Sequence, residues 1–144
     1  ETPGIKTVEQ LEAFVQMPAS KMVKTIVLVA DGTETVIVSM RGDLEISEIK
    51  LANLLHASKV ETAEAKVVEL ATDAPVGFAG PINLYGKSNL RYFFDISVCG
   101  MTNFLCGGNE QDIHYINVNA GRDFPQIREF HDLSKAGAGL TCEH

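Results

Sequence analysis

Two runs rich in β-branched residues, separated by a very short turn, constrain the fold of this chain more than any other feature. The runs cover residues 23–30 and 34–40, and the turn at 31–33 contains a glycine. Such a pattern predicts a β-hairpin. Because the first run is apolar on both faces, except near its start, we expect that strand to lie at the centre of a sheet.

A first helix is predicted just before the hairpin. Thr7 and Gln10 have the spacing of a capping box, in which each side chain bonds the backbone amide of the other residue. Apolar residues then recur at helical spacing, at Val8, Leu11, Phe14 and Val15. We therefore expect an amphipathic helix that begins after Thr7.

Further helices and strands are predicted after the hairpin. Ser47 can cap a helix that ends near Leu55, and Thr62 can cap another that ends near Ala71. In the former helix we expect the inward residues to be Ile49, Ala52 and Leu55. Strands are predicted at residues 82–85, 90–96 and 113–118. Helices and strands interleaved irregularly around hairpins indicate an α+β fold with a mixed or antiparallel sheet.

The composition fits one globular domain and excludes several functions. The 144 residues are 45% hydrophobic and 22% charged, so the chain is long and apolar enough to bury a core. Its formal net charge is −7, whereas proteins that grip long stretches of nucleic acid are usually basic. No apolar run approaches the ~20 residues of a membrane span. A short nucleic-acid end remains a compatible partner.

The cysteines and histidines argue against a disulfide framework and against a metal site. The cysteine count is odd with no C-x-x-C pair, which favours a reducing compartment. The histidine spacings match no zinc motif. The apolar neighbours of Cys99 and Cys106 favour buried, inert thiols over a catalytic pair with His114. The other residues of these two types are Cys142, His56, His131 and His144.

Three polar residues within apolar strand runs are candidate functional groups. Lys24 either extends its ammonium to water from a strand end or contacts an anion such as phosphate. His114 is either a hydrogen-bonded core histidine or a proton-handling group at the mouth of a pocket. Asp95, in an aromatic run, needs either a hydrogen bond from a loop backbone or a pocket. For each residue the pattern leaves both interpretations open.

A loop rich in glycine and proline is a fourth candidate. It consists of Gly77, Phe78, Ala79, Gly80 and Pro81. Glycines let a ligand approach the backbone closely, so the N–H and C=O groups of this loop could line a small-ligand site. The alternative interpretation is a tight connection between a helix and a strand.

Eight short segments, taken together and in order, carry a family resemblance. They are Thr-Pro-Gly at 2–4, Val-Lys-Thr at 23–25, residues 38–43, residues 48–51, residues 75–81, residues 101–104, Gly-Asn at 108–109 and residues 119–123. The set resembles the editing insertion domain of bacterial-type prolyl-tRNA synthetase and covers nearly the whole chain. The same fold is expected in free-standing trans-editing deacylases.

The resemblance implies both a fold and an activity. The fold would be α+β, with a mixed, largely antiparallel and barrel-like sheet and packed helices. Residues 1–144 would form a single editing domain cut from a longer, cytoplasmic synthetase. The activity would be hydrolysis of the ester of mischarged Ala-tRNA(Pro) to alanine and tRNA(Pro). Alanine is smaller than proline, so a binding pocket excludes it poorly and a second site must remove the wrong product.

The resemblance also implies partners and cofactors. The domain would bind the 3′ aminoacylated end of tRNA(Pro) and the rest of the parent synthetase, with no membrane. It would need no cofactor and no metal, while the parent synthetase would use ATP and Mg outside this domain.

Site residues follow from the resemblance position by position. Catalytic roles fall on Lys24, His114 and Asp95, with Lys24 on the terminal phosphate or ribose. Water would be the nucleophile, aided by a ribose hydroxyl of the tRNA. The substrate-binding residues would be Gly77, Phe78, Ala79, Gly80 and Pro81, whose backbone holds the aminoacyl group, and Val8 and Leu11, which form an apolar wall.

Two other functions stay open at this point. The chain could belong to a free-standing trans-editing enzyme for another small aminoacyl-tRNA, such as Cys-tRNA(Pro). It could also be a catalytically inert insertion that only contacts tRNA. A deacylation assay separates an enzyme from an inert domain.

Overall fold

A computed structural model describes residues 1–87 and 90–135, so the features noted at Cys142 and His144 lie outside the described residues. Within those ranges the chain forms three α-helices and one six-stranded sheet. The helices are α1 (Val8–Val15), α2 (Glu48–Leu55) and α3 (Ala65–Thr72). The strands are β1 (Met22–Ala30), β2 (Glu34–Arg41), β3 (Val60–Thr62), β4 (Arg91–Phe94), β5 (Phe104–Gly107) and β6 (His114–Val118).

The predicted hairpin forms the centre of the sheet. β1 and β2 pair antiparallel along their length, from Val23 opposite Arg41 to Ala30 opposite Glu34. The sheet order is β4-β2-β1-β5-β6, with β3 also paired to β1. β5 lies parallel to β1, and β4 lies parallel to β2. The α+β class with a mixed sheet is thus confirmed. The sheet stays open between its outer strands β4 and β6, so its expected barrel-like character is not realised.

Both faces of the central hairpin are buried, as its sequence predicts. On one face Leu28 and Val36 pack with Leu51 of α2, and none of the three is exposed. On the other face Val27 and Ile37 pack against α3. Successive strand residues point to opposite sides, so an apolar run without alternation suits a strand that is covered twice. Among the described residues, every helix is too short or too polar to span a bilayer.

Helix α1 forms as its capping box predicts. The Thr7 hydroxyl accepts a hydrogen bond from the Gln10 amide at 3.2 Å, and the Gln10 side chain accepts one from the Thr7 amide at 3.2 Å. Leu11 is buried, and Val8 and Val15 pack around it. The helix thus places Val8 and Leu11 against the start of β1.

Helix α2 begins at its predicted cap, and two of its three predicted inward residues, Ala52 and Leu55, pack against the core. The Ser47 hydroxyl accepts from the Lys50 amide at 3.3 Å, as expected for an N-cap. Leu51 is fully buried, whereas Ile49 is 76% exposed. The prediction that Ile49 points inward is wrong. The core-facing side of the helix is centred on Leu51, and Ile49 lies on the opposite side because two residues are about 200° apart around a helix.

Several predicted boundaries are also wrong. Thr62 is not a helix cap but the end of β3, and Glu64 precedes α3 instead. Residues 82–85 form turns closed by hydrogen bonds to the Pro81 carbonyl, not a strand. The predicted strands at 90–96 and 113–118 contain β4 and β6. The sequence analysis missed β3 and β5, which are only three and four residues long.

Candidate functional site

A cavity of about 300 Å³ lies where α1, the start of β1, the glycine-rich loop and the ends of β5 and β6 meet. Six of the ten candidate site residues line it: Val8, Leu11, Lys24, Gly77, Ala79 and His114. These residues are far apart in the chain, and the fold brings them together through three strands, one helix and one loop. The other lining residues are Lys6, Thr7, Glu9, Met22, Val23, Thr25, Ile26, Leu105, Cys106 and Gly107.

Lys24 enters the cavity from the central strand. It lies opposite Met40 in the β1–β2 register and is half-buried. Burial lowers the pKa of its ammonium, while the charges of Glu45, Glu9 and Asp43 act in the opposite direction. Among the described residues, no carboxylate forms an ion pair with this ammonium. Its charge is therefore available to an external anion such as a phosphate.

His114 stands across the cavity, and a hydrogen bond holds its ring. Its Nδ1 is hydrogen-bonded to the Thr2 hydroxyl, which also lies 3.2 Å from the Asp112 carbonyl oxygen. A hydroxyl can donate or accept, so either partner can supply the proton of the bond between Nδ1 and Thr2. The ring packs on Phe78, with 5.5 Å between the ring centres.

The environment of His114 favours its neutral form. Burial lowers the pKa of the imidazole below its ordinary value of 6.5, and the nearby carboxylate of Asp112 acts in the opposite direction. The lowered pKa favours the uncharged ring near neutral pH, and a neutral imidazole has one N–H donor and one acceptor nitrogen.

The alternation expected along β6 fails beyond His114. The sequence places His114, Ile116 and Val118 on one face, yet Ile116 is 61% exposed while Val118 is buried. Asn117 adopts a φ of 55°, in the left-handed region, and the β5–β6 register shifts nearby. These irregularities rotate the strand, so the apolar character of Ile116 gives no information about the surroundings of His114.

The glycine-rich loop reaches the cavity because glycine is required at its contacts. Gly77 has a φ of +90°, and a Cβ atom there would lie 2.9 Å from the Lys6 carbonyl oxygen. A Cβ atom on Gly80 would collide with the backbone of Gly107 in β5. The loop backbone and the β5 backbone therefore lie in direct contact, and Gly77 and Ala79 line the cavity.

Asn109 fastens the same loop, and the sequence analysis assigned it no role. Its side-chain oxygen accepts from the Gly80 amide at 2.8 Å, and its side-chain nitrogen donates to the Ile82 carbonyl at 2.6 Å. Its own amide donates to the Phe78 carbonyl at 2.8 Å. Asn109 belongs to one of the recognised segments, but that spacing alone does not reveal a three-bond contact with a loop thirty residues earlier.

Phe78, Gly80 and Pro81 do not line the cavity. Phe78 is fully buried behind the ring of His114, and Pro81 accepts the amides of Leu84 and Tyr85 through its carbonyl. These three residues support the cavity wall. Only Gly77 and Ala79 of the five-residue loop form the wall itself.

Asp95 requires a correction, because the structure does not bring it to the cavity. Its side chain is fully buried and accepts hydrogen bonds from the amides of Ser97 at 3.0 Å and Leu133 at 2.7 Å. Its own amide donates to the Ser39 carbonyl at 2.9 Å. The carboxylate is thus satisfied by backbone groups, as in the structural interpretation of the sequence, and joins β2 to the chain near residue 133.

The thiol of Cys106 is present at the cavity but is not an activated nucleophile. Burial raises its pKa to about 12, so almost none of it is thiolate near neutral pH. Within residues 1–87 and 90–135, no three His, Cys, Asp or Glu side chains are grouped as metal ligands would be. Beside backbone groups, the cavity therefore offers His114, two lysines, one glutamate and two threonine hydroxyls, but no activated thiolate.

Comparison with known proteins gives the class of this domain. Residues 2–124 match the family model of the aminoacyl-tRNA editing domain, and the chain belongs to that family. It is 47% identical over 124 residues to proline–tRNA ligase of Geobacter metallireducens and 46% identical over 142 residues to that of Geobacter sulfurreducens. The alignments cover 86% and 99% of this chain but only 21% and 24% of the two ligases. The chain therefore spans about a quarter or less of each relative.

Solved structures share the fold at lower sequence identity. A candidate trans-editing enzyme for prolyl-tRNA synthetase superposes with a TM-score of 0.74 at 16% identity, over 94% of this chain and 85% of that one. A hypothetical protein superposes with a TM-score of 0.73 at 20% identity, over 94% and 87%. The fold of the editing domain is thus shared beyond proline–tRNA ligases.

Proposed function

We propose that this domain hydrolyses the ester of mischarged Ala-tRNA(Pro), with water as the nucleophile and the cavity as the active site. The observation that carries the proposal is the shared cavity itself. It joins His114 and a glycine-rich loop to Lys24, which forms no ion pair with any described residue, in a protein of the editing-domain family.

The size of the cavity suits a small aminoacyl group. Val8 and Leu11 of α1 form one apolar wall, and the backbone of Gly77 and Ala79 forms another. The methyl group of alanine would rest against the apolar wall. The larger ring of proline would be excluded by steric contact, which protects the correctly charged tRNA.

Lys24 would hold the terminal phosphate or the ribose of the tRNA. Its partly buried ammonium can form a charge-assisted hydrogen bond with either group. Such a contact fixes the ester relative to the loop backbone, and a fixed ester reacts faster with a positioned water. The Nε2 atom of His114 would form a hydrogen bond with the substrate or with that water, since Nδ1 is already bonded to Thr2.

The chemical step needs no covalent intermediate on the protein. Water attacks the carbonyl carbon of the alanyl ester, and the bond between that carbon and the ribose oxygen breaks. The ribose oxygen leaves with a proton that originates from the water, and the products are alanine and tRNA(Pro). A ribose hydroxyl of the tRNA places or activates the water, because the cavity lacks an activated nucleophile.

The parent protein would supply the rest of the tRNA contact. A domain with a net charge of −7 is poorly suited to hold the body of a tRNA, so we assign it only the aminoacylated 3′ end. The ligases that match it are about four times longer. We propose that the domain works in the cytoplasm within such a chain, downstream of the aminoacylation reaction.

The test is a deacylation assay of this chain on Ala-tRNA(Pro), Cys-tRNA(Pro) and Pro-tRNA(Pro). The proposal expects fast loss of the alanyl ester and no acceleration for the prolyl ester over buffer. Faster hydrolysis of the cysteinyl ester would mean that Cys-tRNA(Pro), not Ala-tRNA(Pro), is the substrate. Binding without hydrolysis of any ester would contradict the enzyme assignment and indicate an inert tRNA-contacting domain.

A further inference from the structure

A second groove adjoins the proposed active site and shares two of its residues. We call it the α2 groove, and it is lined by Lys24, Ile26, Glu45, Ile49 and Lys135 together with the segment between Glu45 and Ile49. Its volume is about 540 Å³. Because Lys24 and Ile26 also line the first cavity, the two spaces adjoin each other at these two residues.

An exposed isoleucine without a role in the core marks this groove. Ile49 is 76% exposed, although Leu51, two residues later on the same helix, is fully buried. Covering an exposed apolar side chain removes its surface from water, which is favourable. Ile49 is therefore a suitable contact for the face of a nucleobase.

The charges of the groove suit one nucleotide rather than a long phosphate chain. Two lysines, Lys24 and Lys135, are balanced by Glu45 and Glu48. Lys135 is paired with Glu45 at 3.3 Å, but both side chains are largely exposed, so this pair is weak and can be exchanged for a phosphate.

We propose that the α2 groove binds the nucleoside that precedes the terminal adenosine of the tRNA. This inference rests on the proposed function. With the aminoacyl group in the first cavity and the terminal ribose at Lys24, the nucleoside before it would lie on the other side of Lys24. The α2 groove is the space that adjoins Lys24 there. The base would lie on Ile49, and the phosphate that links the last two nucleosides would lie between Lys24 and Lys135.

The experiment compares a long substrate with one that cannot reach the groove. Deacylation is measured on Ala-tRNA(Pro) and on 3′-alanyl-adenosine, which lacks the preceding nucleoside. The kcat/KM for Ala-tRNA(Pro) is then divided by the kcat/KM for 3′-alanyl-adenosine. Ile49→Ala should lower this ratio about fivefold, since it removes apolar contact only from the long substrate. The matched control is Leu70→Ala on α3, since Leu70 is 77% exposed and lies in neither cavity. It should leave the ratio unchanged.

The outcomes separate this inference from the proposed function. Equal ratios for wild type, Ile49→Ala and Leu70→Ala, in a chain that hydrolyses both substrates, would overturn the groove assignment alone. A wild-type chain that hydrolyses neither ester would overturn the proposed function and the groove assignment with it. Both substituted side chains are exposed, so a thermal melt is expected to show native folding in each variant.

Discussion

The surroundings of Asp95 and of His114 offer an instructive comparison. Both residues are polar groups within apolar strand runs, and the sequence marks both as candidates. Asp95 is fully enclosed, and its two carboxylate oxygens each accept a backbone amide. His114 is half-buried at a cavity wall, and only its Nδ1 is bonded within the described part of the chain.

The difference shows what an out-of-place polar residue does and does not indicate. Such a residue needs a hydrogen-bond partner, because an unpartnered polar group is costly to bury. The partner of Asp95 is the protein backbone, whereas the free ring nitrogen of His114 and the ammonium of Lys24 border an open cavity. The same sequence signal therefore marks a structural joint in one region and a candidate site in the other.

The largest expected effect is on stability, at Asp95. Asp95→Ala leaves the buried amides of Ser97 and Leu133 without acceptors, which should lower the free energy of unfolding by about 3 kcal/mol. Urea denaturation measures this loss. If Asp95→Ala unfolds like wild type yet loses deacylation, Asp95 belongs to the active site and the comparison fails.

The next effect is on activity, at Lys24. Lys24→Ala should reduce deacylation of Ala-tRNA(Pro) by roughly tenfold to a hundredfold, since a charge-assisted contact contributes about 1.5–3 kcal/mol. The urea midpoint should stay near that of wild type, in contrast to Asp95→Ala. Lys66→Ala, at an exposed lysine of α3, is the matched control and should retain full activity. Near-normal hydrolysis by folded Lys24→Ala would remove Lys24 from the site.

A smaller effect is expected on substrate selectivity. Leu11→Ala, alone or with Val8→Ala, shortens the apolar wall and so enlarges the cavity. The rate of hydrolysis of the prolyl ester should then rise several-fold relative to that of the alanyl ester. Truncation of a buried leucine also costs about 2–5 kcal/mol of stability, so rates are compared only for variants that melt cooperatively. An unchanged ratio would mean that this helix face is ordinary core and that the size filter lies elsewhere.

The smallest effect is a pH dependence that originates at His114. Its pKa is lowered in the folded state, so unfolding is favoured by protonation, and the His114 contribution to stability is lost as pH falls below 6.5, the ordinary value. If hydrolysis uses the neutral imidazole of His114, the deacylation rate should also decline as the pH falls below this value and should level off above it. His114→Gln should flatten this part of both profiles. If the stability and rate of His114→Gln still decline at acid pH, another group must cause the decline.

The parts of the fold that local signals specify could be predicted from the sequence. The hairpin follows from two long β-branched runs, and α1 follows from a capping box that the structure forms in full. Strand β5 could not be predicted, because it pairs in parallel with β1 over only Met22 and Val23. The inward residues of α2 were predicted correctly at Ala52 and Leu55 but not at Ile49, and the packing on β1 and β2 selects Leu51 instead.

The candidate site shows the same division between local and tertiary information. Sequence reasoning selected Lys24, His114 and the loop at 77–81, and the fold places these elements around one cavity. It could not separate Asp95 from them, because the amide of Leu133 that satisfies Asp95 lies 38 residues away. Sequence reasoning also missed the role of Asn109 in holding the loop, because its three hydrogen bonds depend on how two loops pack together.

We propose that the aminoacyl end binds at the Lys24–His114 cavity and not near Asp95. The most direct test is a titration of this chain with an unreactive amide analogue of 3′-alanyl-adenosine, followed by NMR. We expect shifts for the His114 ring and for the amides of Gly77 and Ala79, with little change at the amides of Ser97 and Leu133. Shifts centred on Ser97 and Leu133, with His114 unmoved, would contradict it.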